Sequence, residues 1–476
     1  MSFYWYDFET FGADPFRDRP AQFAGIRTDD NFNPVGDPLV IYCKPANDML
    51  PQPEACLITG ITPQLAAREG VCEAEFIRQI HMEFSQPNTC VVGYNSIRFD
   101  DEITRNCLYR NFYDPYAREW QNGNSRWDII DMVRLTHALR PEGINWPNHE
   151  DGRPSFKLEQ LTKANNITHE AAHDALSDVW ATIALAKLIR EKQPKLYDYV
   201  YRHRDKRLVD QQLNLQDKKP VLHISSKYPA DRGCAAIVAP LARDKVNKNA
   251  VYVYDLNIDP QSLLTLGAEQ IRERVFTASD QLPAGVNRIP LKAIHVNKCP
   301  VVVPANLVTP EVAERLNIDI AGCLENLEKI KQAPDLGAKI ADVFDQSYDQ
   351  VTDPDLMLYS GGFFSNHDKN LMEQLRRLPP QQLVDLRLTS DDQRIPEMLF
   401  RYRARNYLET LSEAELAHWE EYRKDRLTQR DGGGSITLKD FFEKITNLRA
   451  DTKLDSNKLS ILDALENYAN GFALRN

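Results

Sequence analysis

Ser2-Phe3-Tyr4-Trp5-Tyr6-Asp7-Phe8-Glu9-Thr10 stands at the head of the chain, an aromatic run ending in two acids. Aromatic residues favour a pleated, half-buried strand. Side chains alternate along a strand, so Asp7 and Glu9 project to one side of it. Two like charges on an otherwise aromatic strand repel each other and are costly to bury. Two readings follow. The acids form a solvated strand end, or they face a divalent cation, for which magnesium is the hard ion that prefers oxygen ligands and shares them with substrate phosphates.

Outward from this strand, residues 21–28, 39–43 and 89–94 also read as strands. Helical spacing appears over 63–84, 100–112, 127–139, 157–165 and 174–191, which predicts an α/β layout with an early meander. Residues 195–219 are polar and basic and read as a linker. Short apolar runs separated by turn residues fill 220–305 and predict a small barrel or sandwich. A second joint is expected over 351–362, and 366–476 read almost entirely as helices, broken at Asp431-Gly432-Gly433-Gly434-Ser435. The 476 residues therefore divide into three expected domains, 1–190, 195–350 and 351–476.

The chain carries 58 basic and 69 acidic residues, a net charge of −11, which argues against a passive nucleic-acid coat. The acidic excess lies in residues 1–190 (18 basic, 27 acidic), whereas 195–245 hold 11 basic and 6 acidic residues. An enzyme acting on a polyanion is compatible with that distribution, because steering depends on where charge sits. No run of about 18 apolar residues predicts a membrane span. No basic stretch followed by an apolar one opens the chain, so a cytoplasmic location is expected. None of the eight cysteines forms a C-x-x-C pair, and reduced core thiols are expected.

Two further segments carry acids. Gly93-Tyr94-Asn95-Ser96-Ile97-Arg98-Phe99-Asp100-Asp101-Glu102 leads from a buried strand pattern into a helical one. One acid there is explained as a helix cap or dipole partner. His173-Asp174-Ala175-Leu176-Ser177-Asp178 is the third segment. On one helix His173 and Asp178 would stand about 140° apart. They converge only if His173 precedes the helix or sits in its first turn.

Taken in order, D-x-E, then Asp100, then H-x-x-x-x-D resembles the DEDD exonucleases in their catalytic-histidine variant, over about residues 1–190. Position by position, the resemblance implies metal ligands at Asp7, Glu9, Asp100 and Asp178, and His173 as general base. It implies two Mg2+ ions, with Mn2+ as a substitute, clamping a phosphodiester. The flanks Tyr6-Asp7-Phe8-Glu9-Thr10-Phe11-Gly12, Arg19-Pro20-Ala21-Gln22-Phe23 and Leu57-Ile58-Thr59-Gly60-Ile61-Thr62 are more specific. With Arg110–Tyr116, Leu139–Trp146 and Arg401-Tyr402-Arg403-Ala404-Arg405-Asn406, they look like the bacterial exonuclease I family along the whole chain. That resemblance implies a ribonuclease H-like α/β exonuclease domain with a mixed sheet, an SH3-like β-barrel and an all-helical C-terminal domain. It also implies 3′-to-5′ digestion of single-stranded DNA to 5′-mononucleotides, processively, in repair and recombination. The implied partner is the C-terminal tail of single-stranded-DNA-binding protein, and the expected form is a monomer.

Residues 98–134 hold Arg98, Arg105, Arg110, Arg118, Arg126 and Arg134, with Tyr109, Phe112, Tyr113, Tyr116, Trp120 and Trp127 among them. Guanidinium forks fit phosphates, and aromatic faces stack on unpaired bases. Roughly half are expected to be core aromatics and structural ion-pair partners instead. The family resemblance favours Arg105, Tyr116, Trp120, Arg134 and Phe156 as strand contacts. Lys157, next to Phe156 at a helix start, is a further strand contact on phosphate; it stands where the family commonly has arginine, and lysine offers a point charge in place of a fork. The basic residues after the nuclease segment suggest a bridge over the groove, and a fragment lacking 195–476 is expected to be a distributive nuclease. Two rivals remain: an RNA 3′-end exonuclease of the same superfamily, and a non-catalytic scaffold for single-stranded DNA.

Overall fold

The computed structural model describes residues 1–169, 173–334, 336–345, 351–384, 386, 388–450 and 454–473. The chain groups into two compact units, Met1–Arg126 with His169–Ile183 and Asp349–Asn476, and Trp127–Thr168 with Ala184–Tyr348.

In the first unit lie β1 (Ser2–Thr10), β2 (Pro20–Thr28), β3 (Leu39–Tyr42) and β4 (Thr89–Gly93), with β5 (Ser125–Asp128) crossing the division. Sheet order is β3-β2-β1-β4-β5. β1 runs antiparallel to β2 and parallel to β4, so the sheet is mixed. Alternation along β1 separates its two faces. Tyr4, Tyr6 and Phe8 enter a core with Phe23, Phe76, Ile80, Phe84, Ile103 and Leu108. Trp5, of the opposite parity, donates its indole N–H to Thr28 Oγ1 at 2.9 Å and packs edge-on to Phe32. Asp7 and Glu9 share that second parity.

The C-terminal helices Asn366–Arg377, Arg394–Asn406, Glu413–Thr428, Leu438–Arg449 and Ser456–Ala473 complete this unit. One core joins Phe11, Met49, Leu50 and Ile61 to Leu427, Phe441, Leu462 and Leu465. Another joins Tyr109 and Phe112 to Met372, Leu375, Met398 and Tyr402. Asp48, fully buried, accepts from Arg405 at 2.8 Å and lies 3.4 Å from Arg426. Trp419 donates to Asn47 Oδ1 at 3.1 Å. The helical end is thus built into the same cores as the strand that bears the acids. On this packing, a fragment without 195–476 is not expected to survive as a nuclease, unlike the expectation from the sequence.

The second unit holds β6 (Val221–Ile224), β7 (Ala235–Arg243), β8 (Ala250–Asp255), β9 (Leu291–His295) and β10 (Val302–Pro304), ordered β10-β6-β7-β8-β9. All four pairings are antiparallel. The register shift in β7 falls between Pro240 and Ala242, where a proline costs no ladder bond. The expected linker 195–219 is instead largely helical, as Pro194–Arg202 and Lys206–Gln212. Tyr197 and Val200, then Val209 and Leu213, are buried at helical spacing inside a polar composition. All eight cysteines are free, six of them buried.

Candidate active site

β1 presents Asp7, half-buried, and Glu9, 8% exposed. β4 ends in Gly93, and a Cβ there would lie 2.5 Å from that of Ser96. Asn95 follows at φ 60°, a left-handed position that asparagine tolerates. This tight turn starts the helix Asp100–Arg110 beside β1, where the Phe8 N–H donates to Asp100 Oδ1 at 3.2 Å. The third segment arrives on the helix Ala175–Lys192. Asp174 caps it, accepting from the Ser177 N–H at 3.1 Å. His173 lies two residues before the helix at φ 66°, and Asp178 projects from its first turn. The two therefore do not obey the angle of a single helix.

Ligand atoms of Glu9, His173 and Asp178 all lie within 4.8 Å of one another. Asp7 and Asp100 join this group electrostatically. Burial, then the charges of Asp100, Glu9, Asp178 and Asp174, push the Asp7 carboxyl well above its ordinary range. Glu9 is pushed up to about 8 by burial, then by Asp178, Asp100 and Asp174. Burial also raises Asp178, opposed by its bond to His169. So many carboxylates crowded together, with only two imidazoles beside them among the described residues, call for a counter-charge. An oxygen-rich set of this kind fits a hard divalent cation.

Sequence reasoning did not single out His169, whose side chain is 5% exposed and whose Nε2 lies 2.5 Å from Asp178 Oδ1. It also passed over Asp174 as a source of negative potential. The His169–His173 spacing of four was a signal, but His169 stands nine residues before its partner, a separation with no local periodicity. Tyr6, in the aromatic run of β1, packs in the core and also donates its hydroxyl to Asp101 Oδ1 at 2.9 Å.

The other named residues separate between the units. In the first, Arg105 donates to Glu119 at 2.8 and 3.0 Å, to Glu102 at 3.0 Å and to the Tyr359 hydroxyl at 3.1 Å. Its guanidinium lies 5.3 Å from the centre of the Tyr116 ring, and Trp120 is 65% exposed. In the second, Arg134 donates to Asp131 at 2.6 Å and lies 5.8 Å from the centre of the Phe156 ring. Lys157 is exposed at the start of the helix Leu158–Ala164, 3.9 Å from Glu159. Several of the interleaved residues are structural, as expected: Tyr109, Phe112 and Trp127 are buried, and Arg110, Arg118 and Arg126 pair with Glu73 or Asp101.

Comparison with known proteins gives three consecutive family matches: an exonuclease model over residues 4–186, an exonuclease I SH3-like domain over 204–346 and an exonuclease I C-terminal domain over 352–472. The exodeoxyribonuclease I proteins of Haemophilus influenzae and Escherichia coli are each 47% identical over 471 residues. Those alignments cover 98% of this chain and 98% and 97% of the relatives. Among solved structures, a moderately thermophilic exonuclease I from Methylocaldum szegediense superposes with a TM-score of 0.95 at 54% identity, over 99% of both chains. E. coli exonuclease I in complex with a dA16 oligonucleotide does so with 0.95 at 46%, also over 99% of both chains. A zinc-bound form of the E. coli enzyme with single-stranded DNA matches equally well, with 0.95 at 46% and the same coverage.

Proposed function

The chain belongs to the bacterial exonuclease I family, and from that premise we propose a 3′-to-5′ exodeoxyribonuclease that hydrolyses single-stranded DNA to 5′-mononucleotides. It has the family's ribonuclease H-like exonuclease fold, SH3-like barrel and helical C-terminal region. The proposed domain limits are 1–190, 195–350 and 351–476, in keeping with the three family matches. The carrying observation is the approach of Glu9, His173 and Asp178 within 4.8 Å, inside the field of Asp7 and Asp100.

Asp7, Glu9, Asp100 and Asp178 would hold the metal, two Mg2+ ions with Mn2+ as a substitute. Bound there, the ions supply positive charge that acidifies water and stabilises the departing oxygen. A ring nitrogen of His173 takes the proton of the attacking water, and because His173 is exposed it returns that proton to solvent. His169 keeps the Asp178 carboxylate oriented. Tyr116, Trp120 and Phe156 stack on unpaired bases, while Arg134 and Lys157 present positive charge to the strand; Arg105, 4% exposed and paired with Glu119 and Glu102, backs the Tyr116 ring instead of meeting phosphate. Neither rival has support: the relatives are exodeoxyribonucleases, and Glu9, His173 and Asp178 of the expected site lie within 4.8 Å of one another.

The enzyme works processively in cytoplasmic DNA repair and recombination, as a monomer; no helix among the described residues is long and apolar enough to cross a membrane. It docks on the acidic, apolar C-terminal tail of single-stranded-DNA-binding protein. A groove in the second unit lined by Lys219, Ile237, Leu256, Val308, Cys323 and Leu324 has the cation and apolar floor such a tail needs. The deciding experiment is magnesium-dependent release of mononucleotides from end-labelled single-stranded DNA, abolished by EDTA. Asp7→Ala and Asp178→Ala are expected to lose it while staying folded. Near-normal turnover in either variant would overturn the metal roles.

A further inference from the structure

Asp101 follows the ligand Asp100 in the chain but turns away from the carboxylate cluster. It is 2% exposed and accepts three hydrogen bonds, each from a different element. Tyr6, beside Asp7 on β1, donates to Oδ1 at 2.9 Å. Arg118 donates to Oδ1 and Arg126 of β5 to Oδ2, both at 2.6 Å.

Arg118 belongs to the stretch between the helix Asp100–Arg110 and β5. That stretch has only two three-residue turns, Ala117–Glu119 and Gln121–Gly123, with Phe112 and Asn122 at positive φ. Backbone bonding alone gives so irregular a segment little rigidity. Its side chains anchor it instead. Arg118, 1% exposed, reaches Asp101, and Glu119 is held by Arg105 at 2.8 Å and Arg126 at 3.3 Å. Tyr116 and Trp120 flank these two anchors. Arg105, Arg118 and Arg126 balance Asp101, Glu102 and Glu119 in charge.

We propose that Asp101 is a positioning residue whose one buried carboxylate registers the β1 ligands against Asp100 and fixes the segment carrying Tyr116 and Trp120 to the same helix. The metal cage and the stacking wall then share one anchor. This rests on the reading of Asp7, Glu9 and Asp100 as metal ligands and of Tyr116 and Trp120 as strand contacts.

Because Asp101→Asn strands two buried guanidinium groups and is liable to unfold the chain, the test uses two milder variants of the full-length protein. Tyr6→Phe cuts only the tie to β1. Arg118→Lys keeps the charge but withdraws the guanidinium N–H that reaches Asp101. Mn2+ affinity is measured by calorimetry without DNA, and affinity for a dT oligonucleotide by fluorescence anisotropy in EDTA. Tyr6→Phe is expected to weaken Mn2+ binding about tenfold, as loss of an outer-shell partner does, with oligonucleotide affinity unchanged. Arg118→Lys is expected to weaken the oligonucleotide about fivefold, the low end for one stacked base, with Mn2+ affinity unchanged. If either variant lacks its own loss, or shows the other's, the inference is overturned. A wild-type protein that releases no nucleotide with Mn2+ would instead sink the nuclease assignment itself.

Discussion

Residues 1–190 produced alone should not fold into a nuclease. In the intact chain Phe11, Met49, Leu50, Ile61, Tyr109 and Phe112 are each 5% exposed or less, in cores completed by residues beyond 349. Uncovering a large apolar side chain costs about 1.5–3 kcal/mol, so six of them amount to roughly 9–18 kcal/mol. Whole domains are stable by only about 5–15 kcal/mol. The fragment is therefore expected to lack a cooperative melting transition by circular dichroism and to release no nucleotide in magnesium. Phe11 makes the dependence local, since it lies two residues past Glu9 and packs in the core shared with Leu427 and Phe441. A fragment that melts cooperatively and digests single-stranded DNA, even distributively, would refute this reasoning.

The carboxylate cluster sets a pH dependence in the metal-free protein. Folding lifts Glu9 from its ordinary 4.5 to about 8, so the folded state binds the extra proton between those values. The stabilisation is fully present below about 4.5 and is lost as pH rises through 8. In EDTA the melting temperature should fall across that window, and Glu9→Gln should flatten the slope; an unchanged slope in the variant would contradict it. His173→Ala should slow turnover by about 10²–10⁴-fold, less so at high pH where hydroxide replaces the base; a defect independent of pH would argue against the proton role. Lys219→Glu should weaken binding of an acidic, apolar tail peptide in a fluorescence titration while leaving hydrolysis of free DNA unchanged. Equal peptide binding by variant and wild type would move the docking site elsewhere.

The chain's local rules made part of this architecture legible. Alternation along β1 set Asp7 and Glu9 on one side, and the tight turn at Gly93 and Asn95 delivers Asp100 beside it. The apolar runs after residue 220 became an antiparallel sheet. Composition misled at 195–219, where Tyr197, Val200 and Val209 are buried on two helices rich in charged and polar residues, with Leu213 buried just past the second.

Short-range periodicity encodes which face a side chain takes, because each peptide's geometry repeats over two or 3.6 residues. It carries no information about which distant face will meet it. The pairing of Asp48 with Arg405, of Tyr6 with Asp101 and of His169 with Asp178 arises only when helices and strands close on one another. The kinds of chemical group present, and their order, were written in the chain. Their distances, their shifted proton affinities and the packing of the core around β1 against the final helices came from burial, which exists only once the core has formed.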